Sequence, residues 1–199
     1  MGSSVQIKHQ MAPIFLSMVI ASACWVPEAW AQTFFTNTGA YQQPVQQSAV
    51  ITMYMHDNLD TNPASAVTVV HSPSVVNGAS NPQLFGSIAV FDDSITMTPD
   101  PSSMELARGR GLYVFNSLEP GSTALEFVWT LEFGPNSGYA GSTISFKGYD
   151  RISDADREIV ITGGTGTFRM ARGWAIISTV AANGGAAILA LSVHIFYGV

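Results

Sequence analysis

Charge is scarce in this sequence. Only 11% of its 199 residues are Asp, Glu, Lys or Arg, with 8 basic residues against 14 acidic ones and a net charge of −6, where soluble domains carry about 25%. No Lys or Arg occurs between residues 32 and 107. A nucleic-acid binder needs a basic stripe to neutralise phosphates, so that class is excluded. Cysteine is nearly absent as well: Cys24 stands alone, which removes any internal disulfide and any multi-cysteine metal site. No asparagine is followed two places on by Ser or Thr, so the chain offers no N-glycosylation acceptor. There is no Gly-x-Ser-x-Gly elbow for a serine nucleophile. His56, His71 and His194 are too scattered to suggest a metal site. Gly163-Gly-Thr-Gly166 lacks both the dinucleotide spacing and the Gly-Lys of a phosphate loop, and reads as a tight hairpin turn.

Apolar surface, in contrast, is plentiful. Hydrophobic residues make up 47% of the chain, with 4 Trp, 6 Tyr and 11 Phe, enough to offset chain entropy and to argue against disorder. So little charge on so much apolar surface implies burial on more than one face, and hence an oligomer. Met53, Met55, Met97, Met104 and Met170 are expected to fill core gaps.

Residues 1–31 have the form of a secretory leader: Lys8 and His9, an apolar run from Ala12 to Val26, and the small-x-small site Ala29-Trp30-Ala31 before Gln32. The run is interrupted by Pro13, followed by Pro27, and shorter than the ~20 apolar residues a membrane span requires. Cleavage there would remove Cys24 and leave a thiol-free, secreted chain. Residues 32–48 are rich in Gln, Thr and Asn and read as a flexible lead-in, with the domain proper spanning 49–199.

Within that domain, runs rich in Val, Ile, Phe, Tyr and Trp recur at 50–56, 65–71, 84–91, 109–117, 123–133, 140–149, 157–162, 167–180 and 186–197, separated by Pro, Gly, Asn, Asp or Ser clusters. The pattern is all-β. Its clearest segment runs to Phe133, where Leu125, Phe127, Trp129, Leu131 and Phe133 alternate with Glu126, Val128, Thr130 and Glu132, a period of two that places one face in the core. Short turns such as Pro135-Asn-Ser-Gly138 and Asn183-Gly-Gly185 favour antiparallel neighbours. About eight such strands make a closed barrel or a sandwich.

Chemistry has few candidates. Asp57, Asp92, Asp93, Asp150 and Asp156 fall at expected strand ends or turns, near a small set of arginines. A carboxyl at the end of an inward-facing strand has its pKa raised by the apolar surroundings and becomes a usable general acid, while an adjacent Arg pulls it back. An Asp in that position more often satisfies turn amides.

Several motifs occur in a fixed order: Met53-Tyr-Met-His-Asp57 with Asn62-Pro-Ala, Phe85-Gly, Val90-Phe-Asp-Asp93-Ser-Ile-Thr96, Ala107-Arg-Gly-Arg-Gly-Leu-Tyr113, Gly141-Ser-Thr-Ile-Ser-Phe-Lys-Gly148, and the long run from Arg157 through Gly163-Gly-Thr-Gly166 to Gly173. The series resembles that of plant dirigent proteins over residues 49–197. The resemblance implies an eight-stranded antiparallel β-barrel of the allene-oxide-cyclase-like type, usually a homotrimer, secreted to the apoplast and cell wall. It implies no cofactor and no metal. A separate laccase or peroxidase would make phenoxy radicals from a monolignol-type phenol, and the barrel would orient two of them so that coupling is stereoselective. An acid would then assist closure of the quinone methide. By the same resemblance Asp57 and Asp150 are the acids, Arg157 binds or polarises a phenolic oxygen, and Tyr113 lines the substrate pocket. Alternatives within the family are a dehydratase of the pterocarpan-synthase kind and a non-catalytic protein that organises lignin deposition. The chain departs from the family in its thiol-free domain, and in Arg110 and Arg169, which stand where Gln and an aromatic residue are common.

Overall fold

The computed structural model describes residues 46–59, 63–72, 84–119 and 122–198; the expected leader and most of the lead-in lie outside the described residues. Nine strands follow in order: β1 (Gln46–Asn58), β2 (Ala66–Val70), β3 (Ile88–Thr96), β4 (Glu105–Phe115), β5 (Ala124–Phe133), β6 (Thr143–Arg151), β7 (Asp156–Thr165), β8 (Arg172–Asn183) and β9 (Ala186–Gly198). β1 begins three residues before the expected domain boundary, because Gln46, Gln47 and Ser48 pair with Gly198, Tyr197 and Phe196.

All neighbours are antiparallel, from β3 through β9 in chain order, and β1 pairs along its whole length with β9. Closure comes where Tyr54, Met55 and His56 of β1 pair with Thr96, Ile95 and Ser94 of β3. Eight strands therefore close into a barrel. β2 takes the remaining edge of β3, with Val67 opposite Val90, so β1 and β2 share one side of that strand.

The core fills the barrel, and the alternation on β5 shows how. Leu125, Phe127, Trp129, Leu131 and Phe133 are all buried, and Trp129 stacks on Phe146 of β6 at 4.4 Å between ring centroids. Such a ring needs small residues across from it. Gly111 lies opposite Trp129, and a Cβ there would come within 2.3 Å of Val128 O and 2.4 Å of Trp129 Cβ.

Three local expectations need correction. The strand expected at 84–91 runs instead over 88–96, because the ladder with β4 continues through Asp92, Asp93 and Ser94 although the apolar pattern stops at Phe91. Gly163 and Gly164 are not the hairpin turn but the end of β7, paired with Ser145 and Ile144. The chain turns just after them, through a single 3-10 turn at Gly166–Phe168, and passes so close that a Cβ on Gly164 would meet Phe168 O at 2.5 Å. Met53 and Met55 are fully buried, whereas Met97, Met104 and Met170 are mostly exposed; the last three lie outside the strands, where no inward face exists.

Candidate active site

At the end of the barrel where β1, β4 and β6 finish and β5, β7 and β9 begin, the inward-facing residues enclose a narrow cavity of about 40 Å³. Its wall is apolar at Phe91, Phe127 and Leu189 among others, and polar at Asp57, Asp93, Asp150 and Tyr113. Strand period places them there: Met53 and Met55 precede Asp57 on the inner face of β1, and Ala89 and Phe91 precede Asp93 on that of β3.

Asp150 on β6 and Arg157 on β7 are almost wholly shielded from solvent, with Nε of Arg157 2.9 Å from Oδ1 of Asp150. The guanidinium also donates to Thr179 Oγ1 at 2.8 Å and to the backbone carbonyl of Asp154 at 3.3 Å. Burial pushes the Asp150 carboxyl upward, and the adjacent Arg157 opposes that. Arg157 is not part of the cavity wall but sits behind Asp150. Its partner is neither the Asp154 carboxylate nor Asp156, which instead accepts from Ser178 Oγ at 2.6 Å.

Asp57 has no such cation. Burial raises it to about 6, with a backbone hydrogen bond at Asn58 holding part of that back, and its Oδ1 has no hydrogen-bond partner among the described residues. Asp93 is pushed to about 8 by burial, opposed by a hydrogen bond from Ser65 Oγ at 2.6 Å and reinforced by the charge of Asp57. Both populate the neutral acid near neutral pH. The Tyr113 hydroxyl is also buried without a partner among the described residues, and burial together with Asp57 and Asp93 holds it above the usual tyrosine range. Its ring packs against Phe91, Phe115 and Phe127 at centroid distances of 6.0, 5.8 and 6.2 Å.

Asp57, Asp150 and Tyr113 thus meet at one cavity, with Arg157 reaching it through Asp150. Asp93 was one of the five candidate carboxylates, but the resemblance gave it no role. Its signal was present, since alternation from Ala89 and Phe91 aims position 93 inward and Asp92 outward. Asp92 does face out, 2.7 Å from Arg108 and 3.2 Å from Arg110. Arg110 also pairs with Glu132, so it belongs to an external ion-pair network, and Arg169 is exposed; neither lines the cavity.

A family model described as Dirigent-like protein matches residues 49–196. The chain belongs to the dirigent family. Dirigent protein 15 of Arabidopsis thaliana is 29% identical over 168 residues, covering 83% of this chain and 86% of that protein. Pterocarpan synthase 1 of Glycyrrhiza echinata is 36% identical over 124 residues, 61% of this chain and 62% of that one. The solved structure of the pterocarpan synthase dirigent protein PsPTS1 superposes with a TM-score of 0.69 at 27% identity, covering 80% of this chain and 99% of that chain. The dirigent barrel, closed by eight antiparallel strands, is the architecture of this chain too.

Proposed function

We propose that this dirigent protein directs the coupling of two phenoxy radicals, supplied by a separate laccase or peroxidase, and then assists cyclisation of the resulting quinone methide. The observation that carries this reading is the pairing of an apolar, aromatic wall with carboxyls that burial raises well above the ordinary range, Asp57 to about 6 and Asp93 to about 8. The aromatic wall suits the reacting end of a phenol, which is all that a cavity of about 40 Å³ takes in. Holding two radicals in one orientation supplies the proximity term of catalysis without a redox centre.

In the cyclisation, Asp57 or Asp150 donates a proton to the quinone methide oxygen as a substrate hydroxyl attacks the exocyclic carbon. The new C–O bond forms, the π pair returns to the ring, the oxygen becomes a phenol, and the hydroxyl proton passes to a carboxylate of the same cavity. Arg157 fixes the orientation of Asp150. Tyr113 offers its ring to the substrate and its hydroxyl to a substrate oxygen.

A second reading is favoured by the relatives named pterocarpan synthases: the same acids protonate a leaving hydroxyl, so that a closed-shell alcohol dehydrates and the quinone methide is trapped intramolecularly. Chiral product analysis separates the two. Enantiomeric excess that appears only when a one-electron oxidant is added supports radical coupling, and turnover of an alcohol with no oxidant present supports dehydration. Racemic product with oxidant and no turnover without it would refute both.

The protein acts, in this reading, as a secreted homotrimer in the plant cell wall. The outward-facing residues of β1, of β9 from Ile188 to Phe196 and of β8 from Trp174 to Ser178 include no Asp, Glu, Lys or Arg, whereas those of β3 to β5 carry the Asp92–Arg110–Glu132 network. The uncharged face suits contact with another copy.

A further inference from the structure

We infer that Asp93 is a further catalytic residue of this site, facing Asp57 across the barrel seam so that the two carboxyls share one proton. The inference rests on the cyclisation reading for its chemistry, and on register for its geometry. β1 and β3 pair with Tyr54 opposite Thr96, Met55 opposite Ile95 and His56 opposite Ser94. The ladder ends there, Ser65 taking the next place beside β3 with its carbonyl accepting from Asp92 N–H at 2.9 Å; Asp57 and Asp93 are the next residues on the two strands. Met55 and Ile95, two positions back along each strand, are both fully buried, so period two turns both aspartates inward, and both line the cavity.

The surroundings offer this pair no counter-charge. Arg157 on β7 is the one fully buried cation among the described residues, and Asp150 on β6 takes it. β4 contributes the neutral Tyr113, while β5 and β9 present Leu125, Phe127 and Leu189. Arg108 and Asp92 act only from the outer face, where they pair with each other. Two carboxyls that line one small apolar cavity, the charge of Asp57 raising Asp93, do not both ionise readily near neutral pH. Ser65 bridges the two strands. Its hydroxyl lies 2.6 Å from Asp93 Oδ1 and 3.3 Å from the carbonyl oxygen of His56. The hydroxyl donates to Asp93, which favours the ionised form and opposes the effect of burial; when Asp93 takes up a proton, the same hydroxyl can turn to the His56 carbonyl.

A pair holding one proton is both acid and base. Its protonated member donates to the quinone methide oxygen, its ionised member takes the proton from the attacking hydroxyl, and the pair ends with one proton as it began. No oxidant or reductant enters this step.

Infrared titration of the purified protein tests the pair without substrate. A protonated carboxyl band should persist in the wild type until about pH 8, Asp93→Asn should abolish that upper step, and Asp57→Asn should lower its midpoint by about one pH unit because the facing charge is gone. Carboxyls fully ionised by pH 6, or an upper midpoint indifferent to Asp57→Asn, would overturn the shared proton. Product analysis tests the catalytic role: Asp93→Asn should lower cyclised product by about 10²-fold and move the alkaline limb of the remaining activity from near pH 8 toward pH 6. If Asp93 merely braces β3 against Ser65, Ser65→Ala and Asp93→Asn will both lower Tm and leave the pH profile in place, which overturns the role; should Asp93→Asn fail to fold, the Asp57→Asn titration still decides the pair. A coupled titration with no effect of Asp57, Asp93 or Asp150 variants on product would instead refute the cyclisation chemistry, and with it the catalytic role, while leaving the proton pair intact.

Discussion

Arg157 Nε lies 2.9 Å from Asp150 Oδ1, and both side chains are nearly closed to solvent. The pair joins chemistry to stability. Removing one member of a buried pair leaves the other charge uncompensated, at a cost of about 3–5 kcal/mol. Asp150→Asn is thus expected to lower stability toward the small end of that range, since the amide still sets a carbonyl dipole beside the guanidinium, and to reduce stereoselective product by about 10²-fold through loss of the acid. Arg157→Lys keeps the charge but cannot span Asp150, Thr179 and the Asp154 carbonyl together. Denaturant midpoints and enantiomeric excess in both variants separate the two effects; wild-type selectivity in folded Asp150→Asn would remove Asp150 from the mechanism.

Tyr113 belongs to the core and to the cavity at once. Its ring is wedged among Phe91, Phe115 and Phe127, so Tyr113→Ala should cost about 3–5 kcal/mol and would say little about binding. Tyr113→Phe is the informative change. The hydroxyl is buried without a partner among the described residues, and an unsatisfied buried group costs about 1–3 kcal/mol, so the variant should be more stable than wild type. Calorimetry with a phenolic ligand should show weaker binding in the same variant; unchanged binding would confine Tyr113 to packing.

A charge on the uncharged outer face should act on assembly alone. Ile176 points outward from β8, between Ala175 and Ile177 whose side chains are buried. Ile176→Glu places a carboxylate on the β8 margin of the face proposed to meet another copy, beside Glu158 of β7, where desolvation and the like charge both disfavour it. Light scattering should report trimer for wild type and monomer for the variant, with the far-ultraviolet signal of the barrel retained. A trimer that survives Ile176→Glu would locate the interface elsewhere.

Legibility in the sequence followed the strength of local pattern. β5 was readable residue by residue because five large apolar side chains alternate without a break. β3 was not, since its inner face passes from Phe91 to Asp93, and a polar residue aimed into a barrel looks in sequence like the end of a strand. The same ambiguity hid Asp93 from the site while Asp57 and Asp150 were accessible through family motifs. Arg157 could be assigned to the site but not to its place in it, because whether it faces the cavity or backs Asp150 depends on how β6 and β7 meet, a non-local property. The run at Gly163–Gly166 misled for a related reason: glycine there permits close passage of the chain, a requirement that sequence shows no differently from that of a turn.

Stability should fall as pH rises, opposite to the behaviour of proteins rich in paired surface carboxylates. Asp57 is raised from 3.8 to about 6 and Asp93 from 3.8 to about 8 in the folded chain, both chiefly by burial. The folded state therefore binds more protons than the unfolded state between those values. Where that holds, unfolding free energy decreases with pH, so the stabilisation from these two groups is fully present below about pH 4 and is lost progressively as pH rises through about 6 and then 8. Asp92 opposes this weakly: Arg108 and Arg110 hold it below the ordinary value, but it is largely exposed and its contribution is screened. Thermal unfolding measured from pH 5 to pH 9 should give a wild-type Tm that declines up to about pH 8 and then levels off. Asp93→Asn, which keeps an amide neutral at every pH, should flatten the limb between pH 6 and pH 8 while leaving the part below pH 6 to Asp57. A Tm that rises across this range in the wild type would mean that both carboxyls are ionised in the folded barrel, and that the cavity holds no acid to donate.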